Sequence, residues 1–231
     1  MTPHPELKGK ILSGFGDSLV DGHYNGIGML HHVAAANEMI YHNYAINGAS
    51  VIPCKPYVLP DMSKTVYDIA AQIKQAPDIF CDFVCFDGLT NDAYEKNSNY
   101  PGIIADSFNG NYDTSTFCGA FENICYLLRK KYQNSAILYI CPHKMPTRSI
   151  TAQNILQENA RKICEKWSIP YVDMYRKGQI NTCIDCMRIN FSYNKINETI
   201  NGNGTHLNES GYRLWYAPVI ESALIHYSRT S

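Results

Sequence analysis

Ile11-Leu-Ser-Gly-Phe15 runs directly into Gly16-Asp17-Ser18-Leu19. Five mostly apolar residues end at a glycine, and a short polar turn follows. A run of this length that is apolar on both of its alternating faces reads as a strand covered from both sides, the habit of parallel sheets flanked by helices. Two further runs have the same character, Ile79-Phe-Cys-Asp-Phe-Val-Cys-Phe86 and Ala136-Ile-Leu-Tyr-Ile-Cys141. Shorter candidates lie at 41–46 and 169–172. Between these runs the apolar period lengthens to that of a helix. Met29, Leu30, Val33 and Ala34 mark one helix within 26–38. Phe117, Phe121, Ile124 and Leu128 share a helix face, and Ala152, Ile155, Leu156, Ile163 and Trp167 mark another. A closing helix is expected over 209–227, kinked at Pro218. Strands separated by helices imply right-handed crossovers. The predicted fold is therefore a three-layer α/β/α sandwich around a parallel sheet of about five strands, in one domain spanning 1–231.

Size and charge agree with that reading. A chain of 26.1 kDa buries about 70% of its extended surface on folding, enough for one core without disulfides or structural metal. The formal net charge is −1. That balance removes the simple electrostatic case for nucleic acid and for a polybasic membrane surface. No apolar run reaches the length of a membrane span. No charged segment followed by an apolar stretch opens the chain, so a cytoplasmic location is expected.

Nine cysteines make an odd number. Cys81, Cys85, Cys118, Cys125, Cys141 and Cys164 sit inside strand- or helix-like segments, where a thiol behaves as a small hydrophobe. Cys183-Ile-Asp-Cys186 is a lone pair without a second pair at matching spacing, so it reads as two loop thiols. Asn-x-Ser/Thr triplets begin at Asn190, Asn197, Asn203 and Asn208. They matter only in a secretory setting, and chance in an Asn-rich stretch explains them. His31, His32 and His143 lack partners at metal-ligand spacing and read as surface or packing residues.

In open parallel sheets ligands bind beyond the carboxyl ends of the strands. Four segments belong at that rim. Gly16-Asp17-Ser18-Leu19 follows the first strand. Asn47-Gly48-Ala-Ser follows the second, and Gly88-Leu-Thr-Asn91-Asp92 the third. Asn203-Gly-Thr-His206 precedes the last helix. Ser18 with His206 supplies a nucleophile and its general base. The N–H groups of Gly48 and Ser18 and the amide of Asn91 supply donors for a developing oxyanion. Ser18 is not in a Gly-x-Ser-x-Gly elbow, because Val20 takes the place of the second Gly, and no Gly-Lys-Ser/Thr follows to make a P-loop. Two stretches of weak pattern, 93–112 and 176–205, are long enough to suggest functional loops on the ligand side.

In these blocks the chain resembles the GDSL, or SGNH, hydrolases, a family of esterases and lipases. Gly16-Asp17-Ser18-Leu19 is its first block verbatim, and the likeness runs in order from Gly16 to Tyr212. The resemblance implies a flavodoxin-like sandwich and no cofactor. It makes Ser18 the nucleophile, His206 the base, and Gly48 and Asn91 oxyanion donors. It also implies a small-molecule ester substrate, such as a short acyl ester or an acetylated saccharide. Long-chain lipid is disfavoured, since no apolar lid is evident. Oligomeric state is not encoded in any feature found.

Two departures matter. Leu89 stands where the third block usually has Gly, which would reshape that turn slightly. Asn203 stands where the family usually has the Asp that orients the base. An amide brings no charge to offset the imidazolium, and its NH₂ can select the wrong tautomer. The same exchange in a serine protease lowers turnover by about 10⁴. Three accounts follow: another group, such as Glu198, Glu209 or Asp185, supports His206; the chain is a degenerate member; or Asn203, followed by Gly204, deamidates to Asp. The expected function is thus a serine esterase working through an acyl-enzyme, with reduced activity. The alternatives are a non-catalytic saccharide- or ligand-binding member of the same fold and an acyltransferase.

Overall fold

The computed structural model describes residues 3–23, 26–58, 65–193 and 202–228. The strands are β1 (Ile11–Phe15), β2 (Ile40–Asn43), β3 (Tyr57–Val58), β4 (Thr65–Val66), β5 (Phe83–Phe86), β6 (Ala136–Cys141) and β7 (Tyr171–Asp173). The helices are α1 (Ser18–Asp21), α2 (Met29–Ala36), α3 (Ile69–Gln75), α4 (Glu95–Asn99), α5 (Phe117–Lys131), α6 (Ile150–Lys166), α7 (Asp185–Phe191), α8 (Glu209–Gly211) and α9 (Ala217–His226). Five strands form one sheet in the order β2-β1-β5-β6-β7, every pair parallel, and β3 and β4 make a small antiparallel ribbon. The predicted α/β/α sandwich is the observed fold.

Alternation along each strand divides the core in two. In β5, Phe83 and Cys85 face α2 and α9, while Val84 and Phe86 face α3, α5 and α6. In β6, Leu138 and Ile140 take the first face and Ile137, Tyr139 and Cys141 the second. The six cysteines expected in apolar segments are all buried on these faces, and all nine thiols are free. The helices begin at side-chain caps: Asp68, Thr116 and Ser149 accept from Ala71, Gly119 and Ala152 N–H respectively.

The closing segment departs from the expected single helix. Tyr212–Tyr216 winds as a π-helix between α8 and α9, and Pro218 sits in the first turn of α9. Proline has no N–H to give the carbonyl four residues back, and the wide π turn ahead of it absorbs that loss. The stretch at 93–112 also differs from expectation. Only its start lies at the ligand rim. Its remainder folds down along α5 and α6, where Ala105 N–H donates to the buried Glu122 carboxylate and Lys166 pairs with Glu122. A buried carboxylate must be paired, and this loop backbone supplies part of that satisfaction. The stretch at 176–205 contains α7. Asn194, Asn197, Glu198 and Asn201 lie outside the described residues.

Strand order fixes where a ligand can sit. β2 lies on one side of β1 and β5 on the other, so the connections leaving β1 and β5 go to opposite faces. The carboxyl ends of β1 and β5 are the switch point of the sheet.

Candidate active site

Ser18 opens α1 immediately beyond β1. Asp17 caps that turn, its carboxylate accepting from Leu19 N–H at 2.9 Å. Gly16 takes φ +140°, and a Cβ there would lie 1.7 Å from Asp87 Oδ1. That carboxylate oxygen also accepts from Asp17 N–H at 2.9 Å. The Gln72 amide grips Gly16 on both sides, accepting from its N–H at 3.0 Å and donating to its carbonyl at 2.9 Å. The turn carrying Ser18 is thus set by the end of β5 and by α3.

The turn after β2 is clamped at three points. Asp21 in α1 accepts from Asn47 N–H at 3.0 Å. Asn91 donates from Nδ2 to Ala49 carbonyl at 2.8 Å. Asp92 takes Val51 N–H at 2.8 Å on one oxygen and Ile52 N–H at 3.0 Å on the other. Gly48 sits between the clamps at φ +83°. Leu89, the departure from the family pattern, holds φ +138°, a region that favours glycine. Its strain of about 1–3 kcal/mol is offset by burying the side chain, which contributes roughly 1.5–3 kcal/mol. Asn91 therefore keeps its place.

Ser18, Gly48, Asn91, Asn203 and His206 all line one cleft of about 270 Å³, so all five predicted site residues come together. Ser18 Oγ lies 2.8 Å from His206 Nε2. Asn203 occupies the Nδ1 side, with Nδ2 at 3.2 Å. Its orientation is fixed by its other end: Oδ1 accepts from Thr205 N–H at 2.8 Å and from His206 N–H at 2.9 Å. The NH₂ can only donate, so Nδ1 is an acceptor and the ring proton resides on Nε2. In this state His206 donates to Ser18 rather than accepting from it. Burial holds the His206 imidazolium down, to a pKa of about 3, and the neighbouring His23, His143 and Arg148 add to that. Of the alternative supports, Asp185 pairs with Arg188 and Glu209 with Arg213, while Glu198 lies outside the described residues.

The turn that presents His206 is held from below by His143. Gly204 carbonyl can only accept, so His143 Nε2–H donates to it at 3.1 Å; Nδ1 is then the acceptor for Tyr216 Oη–H at 2.7 Å, and Tyr216 Oη accepts from the His143 backbone N–H at 3.0 Å. Full burial pushes the His143 pKa down to about 4, consistent with a neutral ring. His31 and His32 pack against Tyr41 and Tyr212.

Three buried carboxyls lie beneath the rim. Burial raises Asp17 and Asp87, and the charge of Asp17 raises Asp87 further. Burial likewise pushes Asp92 up to about 7, against the pull of the two N–H bonds it accepts. A carboxyl raised in the fold keeps its proton where the unfolded chain has lost it. Asp92 therefore contributes stability below pH ~4 that is lost as pH rises through ~7. Asp92→Asn does not titrate. Its melting temperature relative to wild type is expected to climb by about 5 °C between pH 5 and pH 8 in thermal unfolding.

Two residues at the cleft went unread in the sequence. His23 stacks on His206 with centroids 3.9 Å apart and planes 13° apart. Arg148 reaches in from the loop after β6. That loop follows a central strand at its carboxyl end, so the rule that located the other four segments applied to it too.

No protein-family model matches the sequence, and no curated protein does. Solved structures match its fold. A protein from Lactobacillus plantarum is similar at 18% identity over 96% of this chain and 99% of its own, with a TM-score of 0.75. A lipase/acylhydrolase from Enterococcus faecalis is similar at 16% identity over 96% and 100%, with a TM-score of 0.58. A member of the lipolytic G-D-S-L family from Veillonella parvula is similar at 16% identity over 95% and 99%, with a TM-score of 0.57. At these identities the shared feature is the fold: the chain has the α/β sandwich of structures described as G-D-S-L lipolytic proteins and acylhydrolases.

Proposed function

We propose that the protein hydrolyses small carboxylic esters through an acyl-enzyme on Ser18. The observation that carries this reading is the 2.8 Å contact between Ser18 Oγ and His206 Nε2 at the switch point of the sheet. His206 takes the Ser18 proton as Oγ attacks the carbonyl carbon. The N–H groups of Ser18 and Gly48 and the free N–H of Asn91 receive the oxyanion. His206 returns the proton to the leaving alkoxide, then activates the water that releases the acid.

For the first step His206 needs its Nε2 lone pair. The ring must move its proton to Nδ1, facing the NH₂ of Asn203, or Asn203 must turn over and lose both N–H bonds to Oδ1. Either rearrangement leaves one or two buried groups unpaired, at about 1–3 kcal/mol each. The resting site is therefore a slow esterase, best matched to activated esters. The orientation of the Asn203 amide also favours the second reading, a binding protein that retains the cleft without turnover.

Hydrolysis of 4-nitrophenyl acetate separates the two. Ser18→Ala is expected to remove at least about 90% of the rate above buffer that the wild-type chain shows. Equal rates for the two proteins would remove Ser18 from the chemistry.

A further inference from the structure

We infer that the cleft takes esters carrying an anionic group, a carboxylate or a phosphate, close to the scissile carbonyl, and that Arg148 is the residue that binds it. The inference rests on the cleft being the ester site proposed above, but it concerns a different group.

Arg148 is half-buried and lines the same cleft as Ser18 and His206. Its Nε donates to Thr90 carbonyl at 2.6 Å, one terminal nitrogen to Thr147 carbonyl at 3.0 Å, and the other to Asn91 Oδ1 at 3.5 Å. The ring of Tyr94 lies 5.3 Å from its guanidinium carbon. Every one of these partners is neutral. Among the described residues Arg148 forms no ion pair with a carboxylate. Four other partly buried cations are ion-paired: Lys166 with Glu122, Lys131 with Asp78, Lys10 with Asp82 and Arg161 with Glu158.

A guanidinium stays charged at any working pH and has five N–H donors. Its three protein bonds fix the plane of the group without neutralising it. Withdrawing a cation from water without a counter-charge is unfavourable, and an anion entering the cleft would remove that penalty. The carboxylates nearest the site do not do so. Asp17 feels the Arg148 charge but is buried beneath the turn and forms no ion pair with it, and both oxygens of Asp92 are taken by backbone N–H groups.

The direction of the substrate follows from the neighbouring depression. It meets the cleft at Gly48 and Asn91 and is walled by Tyr57, Tyr94 and Lys96. Tyr94 lies between Arg148 and that depression. An ester spanning the oxyanion donors would set one arm against the tyrosines and place an anion over the Arg148 fork, where two parallel N–H donors suit a carboxylate or phosphate.

Binding and turnover test this separately. The binding probes are 4-acetamidobenzoate and its neutral counterpart 4-acetamidobenzamide, titrated calorimetrically into the full chain. The wild type is expected to bind the benzoate at least about ten-fold more tightly, with the preference falling as salt rises. Arg148→Gln should bring the two affinities together, and Arg148→Lys should keep part of the preference. Equal affinities in the wild type would overturn the inference, as would a preference that survives in Arg148→Gln. The turnover probes are 4-acetoxybenzoate and its methyl ester, run on wild type and Asn203→Asp. A preference for the anionic ester in kcat/KM that is lost in Arg148→Gln is the expected result. An anion preference in binding with no hydrolysis by either chain would leave this inference standing and remove the esterase proposal. Hydrolysis of both esters at equal kcat/KM would do the reverse.

Discussion

Asn203→Asp is expected to raise kcat for an activated acetyl ester by about 10²- to 10⁴-fold. The size follows from what the change does at each atom. In the present turn one amide oxygen already takes two backbone N–H groups, from Thr205 and His206. A carboxylate keeps that oxygen where it is. Its second oxygen replaces the NH₂ that now faces Nδ1 at 3.2 Å. Nδ1 then carries the proton, Nε2 turns its lone pair to Ser18, and the imidazolium formed during attack gains a counter-charge. The same counter-charge would raise the His206 pKa from about 3. The variant should therefore show an acid limb in its kcat/KM profile closer to neutrality, while the wild-type rate stays flat across pH 5–8. A variant no faster than wild type would mean that another group supports His206. Deamidation would reach the same carboxylate: Gly204 N attacks Asn203 Cγ, ammonia leaves, and water opens the succinimide to Asp or isoAsp. In the folded turn the Asn203 amide is tied to two N–H groups and Gly204 carbonyl to His143. Ring closure must first disturb those bonds. Peptide mass at this site in the assayed protein keeps the two routes apart.

Much of this arrangement was legible in the sequence, and the remainder depends on contacts that have no local signature. Apolar runs placed β1 and β6 to the residue, because a strand buried on both faces has an unmistakable composition. The run at 79–86 was too generous, since only Phe83–Phe86 pairs with β1 and Phe80 is 63% exposed. Helix α3 escaped notice, although Asp68 caps it and its Gln72 holds Gly16. A polar residue whose role is to grip a backbone 56 positions away carries no periodic signal. Asn203 was legible as a position but not as an orientation. Its amide is turned by two N–H groups that meet Oδ1 only once the turn before His206 has closed. Arg148 was missed for a related reason. A single cation in a loop means little until the fold shows that its partners are all neutral.

Gly16→Ala is expected to lower stability by at least about 3 kcal/mol, seen as a loss of roughly 6–12 °C in melting temperature. Two costs combine. The backbone sits at φ +140°, where any side chain is strained. The new methyl would also fall 1.7 Å from Asp87 Oδ1, and Gly16 cannot retreat because Gln72 holds both its N–H and its carbonyl. Asp87 must therefore move, releasing Asp17 N–H and with it the turn that aims Ser18. Gly9 gives the matched control. It has φ +74°, and a methyl group added there would meet nothing within 4 Å, so Gly9→Ala carries the backbone strain alone, at about 1 kcal/mol. A double-mutant cycle isolates the steric part. Asp87→Ala removes the colliding carboxyl, so Gly16→Ala should cost about 1–2 kcal/mol less in that background than in wild type. If the two losses simply add, the collision is not what makes glycine necessary at the start of the nucleophile turn.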